Sequence, residues 1–199
     1  MLLIAACAAC LALTGCTAKA NSFSPAAIQP DRVPTSIRDS LFANVTIAGK
    51  TVTYSNIKWH VSQTLGAQWL VAGTSTCVET SGSGTSTVFL YTVALFEAWS
   101  EEEPDMVIRF DGVFSGSGTR LLDFQAHESI CTREDESSTL YAAGIAWDKR
   151  ITKISGTVVA DVETVPINGF WFMKHDGGTG WFEIRALDSA GEVLFKATP

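Results

Sequence analysis

The chain has 199 residues, 46% of them hydrophobic and 18% charged, with a formal net charge of −7 and a pI near 4.9. That is enough apolar material for one sizeable core or two small ones, and it excludes a disordered chain. An acidic domain gains nothing from counterion release, and its basic residues are too scattered to form a stripe, so nucleic acids and anionic headgroups are set aside as partners.

Residues 1–13, MLLIAACAACLAL, carry no charge and no proline. As a helix this run would rise about 20 Å, short of a hydrocarbon core of about 30 Å, so it reads as the apolar part of an export signal. It ends on Leu13-Thr14-Gly15-Cys16 and turns polar at once. An aliphatic residue, two small ones and a cysteine in this place resemble the lipobox of bacterial lipoproteins. The resemblance implies cleavage before Cys16, acylation of its thiol, and a mature protein held by lipid on the extracytoplasmic side of a membrane. It divides the start of the chain into a signal peptide over 1–15 and a lipidated cysteine with a flexible tether over 16–34. Thr17 follows the cysteine, not an aspartate, so nothing in the motif retains the protein at the inner of two membranes. The tether reading also rests on Pro25, Pro30 and Pro34 and on the lack of apolar periodicity.

With Cys7 and Cys10 in the discarded segment and Cys16 lipidated, Cys77 and Cys131 remain. An even pair in an oxidising compartment is expected to form a disulfide, closing a loop worth roughly 4 kcal/mol on the chain-entropy model. Two buried free thiols are the alternative.

The spacing Ser36-Ile37-Arg38-Asp39, with Ile37 and Leu41 four apart, predicts one short helix over about 36–43. From there the pattern is β. Ile57, Trp59 and Val61 alternate with Asn56, Lys58 and His60, which predicts two opposed faces. Two strands over 67–78 and 87–98 flank SGSGTS, and TVFLYTVALFEA reads as a central strand apolar on both faces. MVIRFDGVF and LLDFQA follow. ITKISGTVVADVE reads as one strand with Ile154, Gly156, Val158, Ala160 and Val162 on one face. NGFWFM, WFEIRAL and EVLFK, separated by HDGGTG and DSAG, complete about nine to eleven strands. The expected fold is all-β, an antiparallel β-sandwich with at most one short N-terminal helix.

The segment GIAWDKRITKISGTV, then INGFWFMKHDGGTGWFEIRALDSAGEVLFK, resembles bacterial immunoglobulin-like modules through Gly144, Ala146, Asp148, Ile151, Ile154, Asn168, Gly169, Phe170, Phe172, Ala186, Asp188 and Gly191. The resemblance implies an immunoglobulin-like β region over 139–199, following a β region over 35–138. The layout as a whole is also similar to small lipid-anchored or secreted proteins of Gram-positive bacteria. The matched positions are turns and core, so they imply a scaffold and bring no catalytic set.

Chemistry is sparse. His60, His127 and His175 have no metal-ligand spacing and read as solvated, and no metal or cofactor is expected. Ser55-Asn56-Ile57-Lys58 matches S-x-x-K, but in a strand residues three apart point to opposite faces, which separates the pair. The acidic runs Glu101-Glu102-Glu103-Pro104-Asp105 and Glu134-Asp135-Glu136 lack the alternation and glycine of a calcium loop and read as solvated loops. Among six tryptophans, Trp181 is expected to share an outer face with Glu183 and Arg185, with Phe182, Ile184 and Ala186 inward, and Trp99 is expected beside an exposed loop. Either exposed indole would offer a platform for a sugar or a protein.

These readings converge on a non-enzymatic, lipid-anchored envelope protein acting as an interaction or scaffolding module, its partner an envelope protein or glycan. A carbohydrate-binding module using Trp181 or Trp99, and a wall hydrolase using carboxylates brought together by the fold, are the alternatives.

Overall fold

The structure, a computed structural model, describes residues 25–97, 105–114, 121–130 and 138–199, with the side chains of 47 and 127–130 outside this description. It is all-β, with one short helix and antiparallel sheets in a curled, sandwich-like arrangement. Among the described residues a single α-helix, α1, spans Thr35–Leu41. The strands are β1 (Val45–Ile47), β2 (Lys50–Leu65), β3 (Gln68–Ser81), β4 (Gly84–Glu97), β5 (Met106–Val113) and β6 (Leu122–Ile130). They continue as β7 (Ser138–Ala146), β8 (Lys153–Thr157), β9 (Asp161–Thr164), β10 (Phe170–Asp176), β11 (Glu183–Leu187) and β12 (Val193–Ala197).

They form a five-stranded sheet β1-β2-β3-β4-β5, a three-stranded sheet β10-β7-β6 and a four-stranded sheet β12-β11-β8-β9. The period of two along β7 shows how these stack. Tyr141, Ala143 and Ile145 join Val61, Leu70, Tyr91, Val93 and Phe110 in one core, while Leu140, Ala142 and Ala146 join Ile154, Trp171, Trp181 and Ile184 in another. The three-stranded sheet is thus buried on both faces, between the other two. Beyond the five-stranded sheet, Ile37 and Leu41 of α1 close a third core over Trp59, Val71, Ala94 and Phe96. The hairpin β6–β7 spans the division expected near 138, pairing Leu122 with Ala146 through to Ile130 with Ser138.

Strand β4 is central as expected, with Tyr91, Val93 and Leu95 in one core and Ala94 and Phe96 in the other. Helix α1 starts one residue earlier than its capping signal suggested. Pro34 occupies the N-cap with no side-chain hydrogen bond, and Thr35 Oγ1 accepts instead from Arg38 Nη2 at 2.8 Å. At the other end Arg109 Nη1 donates to Leu41 O at 2.6 Å, satisfying a terminal carbonyl.

Four expectations are corrected here. The tether does not extend to residue 34. Ile28 N donates to Trp59 O at 2.8 Å, a 3₁₀ turn follows at Pro30–Arg32, and Val33 is buried, so 25–34 belong to the fold. The alternation read along β2 is broken twice, because the register slips between Ser55 and Lys58 and again between Trp59 and Val61. Each slip inserts a bulged residue and reverses the faces beyond it. Asn56 takes up the first bulge with a φ of 52°, as asparagine tolerates better than most residues. Trp59 therefore packs under α1, Val61 packs on the opposite face, and Ile57 is exposed.

Third, ITKISGTVVADVE is a hairpin rather than one strand: β8 turns at 158–160 into β9, leaving Val159 exposed at its tip. Thr157 Oγ1 donates to Asp161 Oδ1 at 2.6 Å across the turn. No glycine or proline marks that turn. Fourth, Trp181 is buried and Phe182 exposed, the reverse of the expected pair, as the site description explains.

Of the residues in the immunoglobulin-like resemblance, Ala146, Ile151, Ile154, Phe170 and Ala186 are buried. Asn168 and Gly169 both have positive φ in the turn before β10. Asp188 Oδ1 accepts from Ala190 N and Glu192 N, each at 2.9 Å, in the turn before β12.

Candidate functional site

Strands β2, β3 and β4 are 16, 14 and 14 residues long, longer than the 9- and 7-residue β7 and β10 that pack on their inner face. Their hairpin ends therefore project. On the inner face, just past the core residue Tyr91, lies an open groove of about 350 Å³. Its floor comes from Thr74 and Thr76 of β3. Phe89 and Leu90 of β4 and Phe114 after β5 form one side, and Asn56 and Lys58 of β2 the other. Register explains the grouping: Lys58 faces Thr74, and Thr76 faces Phe89.

The bulge at Asn56 builds the polar side of this groove. Because Ser55 pairs with Thr76 and Lys58 with Thr74, the slip puts Ser55 and Lys58 on the same sheet face, correcting the expectation that the strand separates them. The pair forms no hydrogen bond among the described residues, and Ser55 is exposed, so the S-x-x-K match acquires no chemistry. Asn56 Nδ2 instead donates to Thr76 Oγ1 at 3.3 Å. Phe89 is 60% exposed, while Phe114 is braced edge-on against Trp147 with centroids 4.8 Å apart. Lys58 is exposed and has no ion-pair partner among the described residues.

Behind the groove sits His60, which is buried rather than solvated. As the bulged residue of the second slip it leaves the ladder and turns inward. Its Nδ1 lies 2.9 Å from Ala26 O, its Nε2 lies 3.0 Å from Thr74 Oγ1, and its ring stacks on Phe170 at 5.4 Å. Asn168 ties the same point together: its Nδ2 donates to Ala26 O and to His60 O, and its Oδ1 accepts from Ala26 N. Burial, assisted by the charge of Lys58, pushes the His60 pKa below the ordinary value, against the carbonyl of Ala26, which favours the charged form.

The sign of the pH effect follows. The folded state binds the His60 proton less readily than the unfolded chain, so this contribution is fully present above about pH 6.5 and is lost as pH falls from there through the depressed folded value. Urea unfolding at about pH 7.5 and about pH 5 is expected to show wild type losing more stability on acidification than His60→Gln. Equal losses in both would count against a buried neutral imidazole.

On the opposite face a second polar cluster has a structural task. Arg109 Nε donates to Asp111 Oδ2 at 2.7 Å and its Nη2 to Tyr54 Oη at 3.2 Å, and Thr92 Oγ1 donates to Asp111 Oδ1 at 2.6 Å. The guanidinium also lies over the rings of Tyr54 and Phe42, at 5.4 and 5.9 Å from their centroids. Cys77 sits beside Tyr54 on the middle strand of this sheet. It is a free thiol here, and its expected partner Cys131 lies outside the described residues. Burial, with the carboxylates of Asp111 and Glu79, pushes its pKa up, so it is protonated at neutral pH and a poor nucleophile.

The other anticipated residues are dispersed. Cys16 and Trp99 lie outside the described residues, as does the side chain of His127, and His175 is half-buried on β10 with Nδ1 at 3.0 Å from Gly177 O. Trp181 is only 7% exposed. It precedes β11 rather than belonging to it, so the alternation of WFEIRAL does not reach it. Phe182 N donates to Thr157 O at 2.8 Å, and the Phe182 ring takes the outward direction expected of Trp181. The indole enters the core over Gly156, where a Cβ would stand 2.5 Å from Cζ3 and 2.7 Å from Cε3.

No set of three metal-ligating side chains is gathered among the described residues, and none of the helices described is long and apolar enough to cross a membrane. A smaller hollow of about 160 Å³ is lined by Asp148 and Lys149. The Asp148 carboxylate is already engaged there: Arg150 donates to it from Nε and, at 2.7 Å, from Nη2, and these hydrogen bonds hold the carboxyl below the usual range. Among the described residues the groove lining holds one cation and no carboxylate. Aromatic rings, hydroxyls, an amide and an ammonium on rigid strands can bind; these side chains supply no acid pair for hydrolysis. No protein-family model, no curated protein and no solved structure matches this chain.

Proposed function

We propose that this is a lipid-anchored protein of the cell envelope, acylated at Cys16, whose β-sandwich serves as a non-enzymatic binding or scaffolding module outside the cytoplasmic membrane. The observation that carries the reading is the groove at the projecting end of the five-stranded sheet, with a largely exposed phenylalanine over a floor of threonines. Monomeric domains seldom leave a large aromatic ring in solvent within a concave polar surface unless something covers it. The lipobox-like residues Leu13-Thr14-Gly15-Cys16 support the address, and the immunoglobulin-like turn and core residues support the scaffold role. The carbohydrate alternative moves from Trp181 to Phe89.

Two measurements test it. Mass spectrometry of membrane-extracted protein is expected to find an N-terminal acylated peptide starting at Cys16; an unmodified Cys16 or an intact residue 1 removes the anchor. A photo-reactive phenylalanine analogue at position 89 is expected to capture an envelope component in cells. The same probe at 159, exposed on another part of the molecule, is expected to capture none. Equal labelling at both positions, or none at 89, rejects the groove as the binding surface.

A further inference from the structure

The polar wall of the groove is one end of a hydrogen-bond chain that runs into the protein. Ala26 O can only accept, so His60 Nδ1 carries a proton. In the neutral ring Nε2 is then an acceptor, and Thr74 Oγ1 donates to it. Thr74 has spent its only hydrogen inside the protein and turns lone pairs towards the groove. Thr76 Oγ1 has the opposite role: it accepts from Asn56 Nδ2, so its own hydroxyl hydrogen is free to act in the groove. Beside these stand the ammonium of Lys58, without an ion-pair partner among the described residues, and the open face of Phe89. In a chain of net charge −7, the described residues of this lining hold a cation and no acid.

We propose that the groove binds an acidic saccharide, with its carboxylate on Lys58 Nζ, its hydroxyls on Thr74 and Thr76 and the C–H face of a ring on Phe89, and that the protonation of His60 sets whether Thr74 accepts or donates there. This rests on the reading of the groove as a binding surface. Each part of the lining selects against a simpler ligand. A neutral sugar leaves the ammonium uncompensated once the groove is covered, a fatty acid leaves the hydroxyls unpaired, and an inorganic anion leaves Phe89 in water. The volume of about 350 Å³ falls at the lower end of small-ligand sites.

The proton acts through geometry. A charged imidazole donates from both nitrogens, so Nε2–H bonds to Thr74 Oγ1, and the threonine rotates its own hydrogen outward. The groove thereby gains a donor for a carboxylate. The groups that face the ring are Lys58 from β2, Thr74 from β3, the Ala26 carbonyl from the N-terminal segment and the Phe170 ring from β10. Asn168 binds the His60 backbone oxygen. Of these only Lys58 is charged; burial, helped in small part by that charge, keeps the ring neutral at neutral pH. Acidification that leaves the ligand ionised is therefore expected to strengthen binding.

Calorimetry of the full chain in detergent, with trigalacturonic acid and its methyl ester as probes, tests this at about pH 7.5 and about pH 5, where a carboxyl of pKa about 4 is still mostly ionised. The acid is expected to bind at least about tenfold more tightly than the ester, a difference of about 1.4 kcal/mol. Lys58→Met is expected to abolish that difference, and Phe89→Ala to weaken both probes about tenfold; both side chains are exposed, so the variants should melt like wild type. The acid is expected to bind about threefold more tightly at the lower pH, except in His60→Gln. Equal affinity for acid and ester, or Lys58→Met without effect, overturns the saccharide assignment, and a flat pH profile in wild type overturns the role of His60. Should the acid fail while a probe at 89 still captures an envelope component, the ligand class is wrong and the groove stands. Failure of both removes the groove as well.

Discussion

Trp181→Ala is expected to lower stability by about 3–5 kcal/mol, the usual range for emptying a buried aromatic site. The indole fills the space over Gly156 in the core that also holds Met173, Val158 and Ile184. Its Nε1 is buried without a hydrogen-bond partner among the described residues, so the ring contributes packing, not a polar contact. Trp181→Phe keeps most of the volume and relieves that desolvated N–H, and is expected to cost less than half as much. Urea denaturation of the three proteins measures both. A Trp181→Ala midpoint close to wild type would place this indole in solvent, where a sugar could reach it, and would return it to the list of binding residues.

Gly144→Ala is the second large effect. Gly144 lies on β7 opposite Phe124, where β6 crosses so closely that an added Cβ would stand 1.9 Å from Asp123 O and 2.8 Å from Phe124 Cα. Both are backbone atoms, which cannot rotate away as a side-chain tip would. The strand must lift off, and with it the pairing that joins β6 to the middle sheet and Leu122 to its core. The expected result is a loss of more than about 3 kcal/mol, or no cooperative transition at all. By contrast Gly49→Ala, at a turn with open space around it, is expected to show only the modest strain of its positive φ. Near-equal midpoints for the two variants would contradict the close crossing of β6 and β7.

Much of this architecture was legible because burial leaves a regular mark on strands. The unbroken apolar run of β4 reads as a strand covered on both sides, and it sits between β3 and β5 with core on either face. Asn168-Gly169 and Asp188 to Gly191 mark turns through residues that tolerate positive φ or accept backbone hydrogen bonds, and the chain turns there. The failures share one cause. A period of two predicts faces only while the register holds, and β2 slips twice. Neither bulge carries a glycine, so Asn56 and His60 looked like ordinary alternating residues. The same limit applies to Trp181, which lies just outside the ladder whose alternation was extended to it, and to the β8–β9 hairpin, whose turn is made of valines and an alanine.

The candidate site was legible only in part. Lys58 and Ser55 were visible as a spacing, and His60 as a lone histidine, but nothing local indicated that a bulge would bring Lys58 over Thr74 or push the imidazole between Ala26 and Phe170. Phe89 read as one more apolar residue of a buried strand. It is exposed because β4 outruns the strands that pack on it, and the relative lengths of partners are not encoded in any one segment.

By itself the sequence determined the fold class, the short helix, the central strand and most turns, since each depends on neighbours a few residues apart. Which residues meet in the groove, the burial of Trp181 and the dryness of His60 were decided by tertiary structure alone. Those outcomes depend on register and on which strand covers which, and a shift of one residue in a ladder moves a side chain to the other side of the sheet while leaving composition and periodicity unchanged.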